Sequence, residues 1–333
     1  MRRSVLIFTV FNLMVIGLLV RSVFTLLTLL WEDADEDAIR RAELPAPNSP
    51  LIENRPQLIP KIIHQTYINE SIPEIWQEPQ QSCLDLHEDY EYKLWTNEKS
   101  REFIATEYPW FLETWDGYPY PIQRADAIRY FVLSHFGGVY IDLDDGCNRR
   151  LDPLLSYPAW LRLTAPSGIS NDVMGSVPQH PFFLQVIDSL QSYDRSWILP
   201  YITVMYSTGP LFLSVIWKHW LDSNQPEDSR VRILSQDEYN RHAWSFFSHH
   251  QGSSWHGSDA RLIFWAGNHW LLLTVLGFMM AGVVGMSCWW LWGRCLVVFS
   301  SRRKSRRGAI QLPSLFRRSS AKKSYELVSS SPV

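Results

Sequence analysis

Gly137-Gly138-Val139-Tyr140-Ile141-Asp142-Leu143-Asp144-Asp145 is the stretch that decides the fold of this 333-residue chain. A glycine pair punctuates the chain, a short β-branched and aromatic run follows, and carboxylates gather at its far end. Upstream, residues 121–135 carry a helical pattern with Pro121 in the first turn and the glycine pair just past the end. Two earlier strands are expected at residues 61–65 and 90–95, with a helical stretch between them, and further helices at 98–108, 181–192 and 210–220. Strands alternating with helices predict an α/β domain with a largely parallel central sheet. Ligands of such sheets sit at the carboxyl ends of strands, where this acidic cluster falls.

Side chains alternate along a strand, so Tyr140, Asp142 and Asp144 are expected on one face and Val139, Ile141 and Leu143 on the other. Two carboxylates held together are costly without a cation or proton between them, and their hard oxygens suit Mg²⁺ or Mn²⁺. The competing reading is a solvated acidic turn. Regular alternation sends Asp145 to the opposite face, as a supporting residue, unless the strand ends before it. No glycine-rich phosphate loop is present, so a bound nucleotide would have to be held through a metal.

Charge is segregated along the chain. Residues 301–333 carry nine Lys or Arg and one Glu, whereas residues 32–269 carry 18 Lys or Arg against 33 Asp or Glu, giving +8 and −15. Such asymmetry points to parts lying on different sides of a membrane. Residues 5–31 are long and apolar enough for a retained signal anchor after a short cytosolic terminus at 1–4, although Arg21 interrupts them. A cleaved signal peptide is the competing reading, against which stand the length of the run and the lack of an A-x-A cleavage pattern after it. A second span is expected at 268–293, with Trp265 and Trp270 near one interface and Trp289, Trp290 and Trp292 near the other. The basic tail at 294–333 then places both termini in the cytosol and the middle of the chain in a secretory lumen. Residues 32–58, acidic and then Pro-rich, read as a stem, and residues 59–265 as the catalytic domain. Asn69-Glu70-Ser71 is a glycosylation sequon in that lumenal part. Cys288 and Cys295 fall in or beside the second span; whether Cys83 and Cys147 pair stays open.

The ordered blocks Pro60-Lys61-Ile62-Ile63-His64-Gln65-Thr66, Leu94-Trp95-Thr96, Ala125-Asp126-Ala127-Ile128-Arg129-Tyr130 and Gly137 to Asp144 resemble glycosyltransferase family 32, a DXD sugar-binding family. The resemblance covers roughly residues 59–257 and implies a GT-A-like fold and a retaining hexosyltransferase, flanked here by two transmembrane helices. Asn171-Asp172-Val173-Met174, His180-Pro181-Phe182-Phe183 and Thr208-Gly209-Pro210-Leu211-Phe212 are similar to the branch of that family that mannosylates inositol phosphorylceramide in fungi. The resemblance implies Mn²⁺ (or Mg²⁺) on Asp142 and Asp144, GDP-mannose as donor, and a third ligand from Ser248 to His256, where His250 fits the family's spacing and His249 is one residue early. A surface histidine cluster is the plain alternative. Asp126 is expected as a donor-sugar contact, Arg129 or Arg124 as a diphosphate contact, and His64 and Gln65 as contacts of the nucleotide base. Asp126 and Arg129 could equally form an i,i+3 pair, and His64 to Thr66 a satisfied strand end. Asp172 is the additional acid expected near the acceptor, or else part of a turn.

A domain tethered at both ends beside Trp-rich interfacial sequence is placed to act on a lipid headgroup. The resemblance makes that lipid a membrane sphingolipid, the compartment the Golgi, and a membrane regulatory subunit a partner that Arg21 or Arg294 could contact. Two readings compete: a family 32 transferase acting on glycoprotein glycans, and a non-catalytic membrane subunit that retains the fold.

Overall fold

The computed structural model describes residues 2–29, 36–46, 49, 51, 53–164, 168–223, 225–235, 242, 244–250, 252 and 257–308. In chain order the elements are α1 (Arg2–Leu29), β1 (Ile62–Thr66), α2 (Glu74–Leu86), β2 (Glu91–Trp95), α3 (Asn97–Glu107), α4 (Leu112–Gly117), α5 (Pro121–Phe136), β3 (Gly138–Ile141), β4 (Asp145–Cys147), β5 (Ala159–Leu163), β6 (Ile169–Ser176), α6 (Pro181–Tyr193), α7 (Pro200–Ser207), α8 (Pro210–Leu221), β7 (Val231–Leu234), β8 (Phe247–His249), α9 (Ser258–Asn268) and α10 (Trp270–Gly308). The chain divides into two compact units, residues 1–261 and residues 262–333.

In the first unit a six-stranded sheet runs in the order β2-β1-β3-β6-β5-β7, and β4 pairs with β8 in a separate two-stranded sheet. Three of the five pairings in the larger sheet are parallel (β1 with β2, β1 with β3, β5 with β7), and β6 runs antiparallel to both neighbours. The sheet is therefore mixed, and less parallel than the alternation of strands and helices predicts, because β5 returns directly through β6 with no helix between them.

Alternation along β3 sets the two cores. Tyr140 packs with the α5, α6 and α8 face, where Phe131, Leu133, Phe183 and Trp217 are buried. Val139 and Ile141 pack on the other face with Ile63, Cys83, Trp160 and Phe247. Cys83 and Cys147 are disulfide-bonded, which ties α2 to β4. The glycine pair between α5 and β3 is required by geometry. Gly137 and Gly138 have φ of 67° and 97°, and a Cβ on Gly138 would stand 2.7 Å from the Ile62 carbonyl oxygen.

Part of the expected stem belongs to this unit. Ala38 bridges Ile233 at the edge of the sheet, Ile39 is buried, and Arg230 and Arg232 pair with Asp37 and Glu43. Residues 36–46 thus cover the open side of β7 instead of forming a spacer, consistent with the tendency of exposed edges to be covered. Leu29, the last residue of α1, is buried in the larger core.

One helix among the described residues is long and apolar enough to cross a membrane, over Trp270–Arg294 within α10. In α1 the corresponding apolar stretch is shorter, Thr9–Leu18. Of the two expected spans, the second meets the criterion of length and composition and the first does not. The tail beyond residue 308 lies outside the described residues.

Candidate functional site

β3 ends at Ile141, and the chain turns through Asp142 to Asp144 before β4 begins at Asp145. The alternation argument therefore stops before the acidic cluster, and each carboxylate is placed by its own contacts. Asp142 still faces the α5 side: its Oδ1 accepts from the Tyr140 hydroxyl at 2.7 Å and its Oδ2 from Arg129 Nη1 at 3.1 Å. Burial pushes the Asp142 carboxyl up to about 7 against the opposing pull of Arg129, with the Asp144 charge adding to the rise. Asp144 is also raised, by burial first and by Asp145 second.

Asp145 enters the site by a route that regular alternation excludes. β4 pairs with β8 so that Asp145 stands opposite His249, whose Nδ1 lies 3.2 Å from Asp145 Oδ1. One ligand atom from each of Asp144, Asp145 and His249 lies within 4.8 Å of the others, and among the described residues this is the group of donors close enough to share a cation. Asp145 is wholly buried, its Oδ2 has no hydrogen-bond donor, and burial raises its carboxyl despite Arg162 Nη2 at 3.5 Å. Two carboxylates raised by burial beside an imidazole are a donor set that fits Mn²⁺ or Mg²⁺.

His250 stands outside this group. Its backbone N–H donates to the Asp144 carbonyl at 2.7 Å and its Nε2 lies 3.2 Å from Ser248 Oγ, so it braces the Asp144 turn. Gly252 packs directly on the Asp144 carboxylate, where a Cβ would collide with it. Gln251 and residues 253–256, including Trp255, lie outside the described residues.

A cavity of about 600 Å³ opens onto Asp142, Leu143 and Asp144. Its wall includes Arg129 and Tyr120 near α5, Thr66, Tyr67 and Asn97 after β1 and β2, Trp76 of α2, and Tyr201, Val204 and Asp259 around α7. That volume lies in the range of small-molecule sites.

The structure brings Asp142, Asp144 and Arg129 to the cavity wall and places the other expected residues behind it. Asp126 is buried, with Arg129 Nη2 at 3.1 Å, Asn171 Nδ2 at 3.0 Å and Thr208 Oγ1 at 3.1 Å around its carboxylate. Arg129 also donates to the Asn171 carbonyl at 2.7 Å and lies over the Tyr140 ring, so it ties Asp126, Asp142 and β6 together. Arg124 instead donates to the Tyr118 carbonyl at 2.8 Å. Asp172, expected near an acceptor or in a turn, sits within β6, paired with Arg162 and accepting from the Val173 N–H at 2.7 Å.

His64 and Gln65 are fully buried and do not line the cavity. His64 Nδ1 accepts from Trp95 Nε1 at 3.0 Å, which leaves the proton on Nε2 to donate to the Gly137 carbonyl at 2.8 Å. Burial lowers this imidazole to about 4, so it stays neutral and buckles β1 to the α5–β3 turn. Gln65 accepts from the Tyr92 hydroxyl at 3.0 Å. The cavity contacts begin one residue later, at Thr66 and Tyr67. Tyr67 meets Trp76 edge-on at 5.7 Å, an aromatic pair with faces suited to a planar ring. Sequence reasoning passed over Tyr67, Trp76, Tyr201 and Asp259; the one signal among them is the position of Tyr67 just past the end of β1.

Residues 73–160 match the family described as a glycosyltransferase sugar-binding region containing the DXD motif. The chain is 54% identical over 294 residues to mannosyl phosphorylinositol ceramide synthase SUR1 of Saccharomyces cerevisiae, covering 87% of this chain and 76% of that protein. It is 53% identical over 233 residues to inositol phosphoceramide mannosyltransferase 3 of Schizosaccharomyces pombe, covering 70% and 65%. Among solved structures it is similar to the PaToxG glycosyltransferase, with a TM-score of 0.40 and 15% identity over 49% of this chain and 70% of that one. An acidic turn on a cavity wall thus belongs to a chain that is 53–54% identical to these two relatives over 70–87% of its own length, and the chain is a member of the mannosyl phosphorylinositol ceramide synthase family of DXD glycosyltransferases.

Proposed function

We propose that this chain transfers a mannosyl group from GDP-mannose to inositol phosphorylceramide, with retention of configuration, in a GT-A-like domain whose reaction site is the cavity bearing Asp142 and Asp144. One observation carries the reading: a chain 54% identical over 294 residues to a mannosyl phosphorylinositol ceramide synthase has both acidic residues of its DXD motif on the wall of a ligand-sized cavity. Asp144, Asp145 and His249 would hold Mn²⁺ or Mg²⁺, with His250 bracing the turn through its backbone. A divalent cation bound there supplies Lewis-acid stabilisation of the charge that develops on the departing diphosphate.

The remaining residues orient and enclose. Tyr140 and Arg129 hold Asp142 by one oxygen each, leaving the second lone pairs to accept from donor hydroxyls. Asp126 fixes Arg129 from behind, which makes it a positioning residue, and Asp172 with Arg162 does the same for Asp145. Tyr67 and Trp76 offer faces to the nucleobase. In this retaining route the acceptor hydroxyl attacks on the face the diphosphate leaves, and its proton passes to a departing diphosphate oxygen, so no carboxylate nucleophile is required.

The test uses membranes carrying the chain with labelled sugar nucleotides. Labelled lipid is expected from GDP-mannose plus inositol phosphorylceramide and not from UDP-sugars. Transfer to glycoprotein glycans with no labelled lipid would overturn the proposed acceptor.

The proposal extends to a Golgi membrane location with residues 5–31 and 268–293 as spans, the domain lumenal, both termini cytosolic, and a membrane regulatory subunit as partner. It is supported by the apolar Trp270–Arg294 helix followed by the basic run from Arg302. Asn69 is exposed, so endoglycosidase should shift the mobility of the wild type and not of Asn69→Gln. Glycosylation of a sequon inserted in residues 309–333, with Asn69 unmodified, would reverse the orientation.

A further inference from the structure

The turn leading into α7 carries an apolar tip that the first unit leaves uncovered. Ile198 is 100% exposed and Trp197 51% exposed, and Arg195 just before them is exposed too. The backbone beneath this tip is firmly held. Buried Thr203 accepts from the Trp197 N–H at 2.9 Å, and its hydroxyl lies 3.2 Å from the Trp197 carbonyl and 3.3 Å from the Leu199 carbonyl. Tyr206 of α7 supports the Trp197 ring at 5.6 Å. Single exposed apolar residues are ordinary on protein surfaces, so exposure alone decides nothing.

Its place in the unit decides more. The helix that begins two residues after Ile198 supplies Pro200, Tyr201 and Val204 to the wall of the cavity that holds Asp142 and Asp144. The Tyr201 N–H donates to Asp259 Oδ2 at 2.6 Å. Asp259 lies in the first turn of α9, so the starts of α7 and α9 meet at the cavity wall. Exposed together, Arg195, Trp197 and Ile198 also supply the chemistry a lipid surface takes: a cation for headgroup phosphates, an indole for the interface and an aliphatic side chain for the acyl region.

We propose that Trp197 and Ile198 insert into the membrane leaflet carrying the acceptor, so that the α7 wall of the cavity rests on the bilayer and a lipid headgroup reaches Asp142 and Asp144 without leaving it. The occupant of this apolar tip is the lipid surface. The inference rests on the lipid-acceptor reading above and adds the surface through which that acceptor arrives.

Full-length chain in phosphatidylcholine vesicles containing phosphatidylinositol tests it. Ile198→Cys, in a background with Cys288→Ser and Cys295→Ser, is labelled with an environment-sensitive fluorophore. Nitroxide-bearing lipids should quench the label and aqueous iodide should not; quenching by iodide and not by the lipids overturns the proposal. In parallel, Trp197→Ser with Ile198→Ser should raise KM for vesicle-embedded inositol phosphorylceramide at least about tenfold, since removing even one of the two apolar side chains from an apolar medium is on that scale. Hydrolysis of the donor by water without acceptor should be unchanged, which reports an intact fold. An unchanged KM overturns the proposal. Should the wild type mannosylate no such lipid, the acceptor reading fails, and the quenching measurement still decides where the loop lies because it needs no acceptor.

Discussion

Arg129→Met removes the single cation that joins Asp126, Asp142 and β6. The guanidinium is 3% exposed and reaches Asp126 and Asp142 at 3.1 Å each and the Asn171 carbonyl at 2.7 Å. Methionine fills much of the space, so the cost comes from polar groups left behind. Asp126 keeps Asn171 and Thr208, and Asp142 keeps Tyr140, but neither retains a counter-charge from α5. Breaking a buried pair by deleting one partner costs about 3–5 kcal/mol. For a domain of this size that corresponds to a fall in Tm of roughly 6–20 °C. Transfer should fall more steeply, by about a hundredfold, because Asp142 loses one of its two orienting contacts and small misplacements of reacting groups carry penalties of that order. Arg129→Lys should fall between the two, since an ammonium keeps the charge but cannot present a planar fork to three acceptors. Adding Asp126→Asn to Arg129→Met should recover about 1–3 kcal/mol of stability and none of the activity, because Asp142 stays unheld. Thermal unfolding of the detergent-purified chain, read beside its transfer rate, is the assay. An Arg129→Met protein that melts within about 2 °C of wild type and turns over normally would refute the reasoning.

Two further outcomes follow from the same geometry. Gly252→Ala would place a methyl group on the Asp144 carboxylate, which can swing aside; the unfolding temperature should hardly change, while Mn²⁺ affinity and transfer fall at least about tenfold, and an unchanged metal titration would contradict the contact. His64 is lowered to about 4 when folded, against about 6.5 in an unfolded chain, so between those values the unfolded state binds the extra proton. Its contribution, about 3 kcal/mol, is therefore complete above pH 6.5 and lost as pH falls towards 4. Stability should fall with acidification less steeply in His64→Gln than in wild type, and parallel pH curves would remove His64 from the account.

Much of the fold was legible because its elements are punctuated. α5 begins at Pro121 and stops at Phe136, just before Gly137; β1, β2, α3, α6 and α8 fall within a residue or two of where the pattern places them. What periodicity could not reveal is where a strand stops. β3 ends at Ile141, and the next turn brings Asp145 to the cation-sized group, which an extended strand would forbid. Partners distant in sequence govern the other differences. Ser170-Asn171-Asp172 has the composition of a turn, yet it lies in the first half of β6, where Arg162 pairs with Asp172 and Arg129 takes the Asn171 carbonyl. His64 at the end of a strand reads the same whether it meets a ligand or buckles two strands. Only the proximity of Trp95 and Gly137, which no local pattern encodes, separates the two.

The central claim is that the acidic turn holds a divalent cation for sugar transfer to lipid. Its most direct test is mannosyl transfer from labelled GDP-mannose to inositol phosphorylceramide by wild type and Asp144→Ala across a titration of Mn²⁺. The account predicts metal-dependent transfer by wild type, abolished by chelation, and transfer by Asp144→Ala at least about a hundredfold lower at every Mn²⁺ concentration. Equal lipid mannosylation by the two proteins, or a wild-type rate indifferent to chelation, would contradict it.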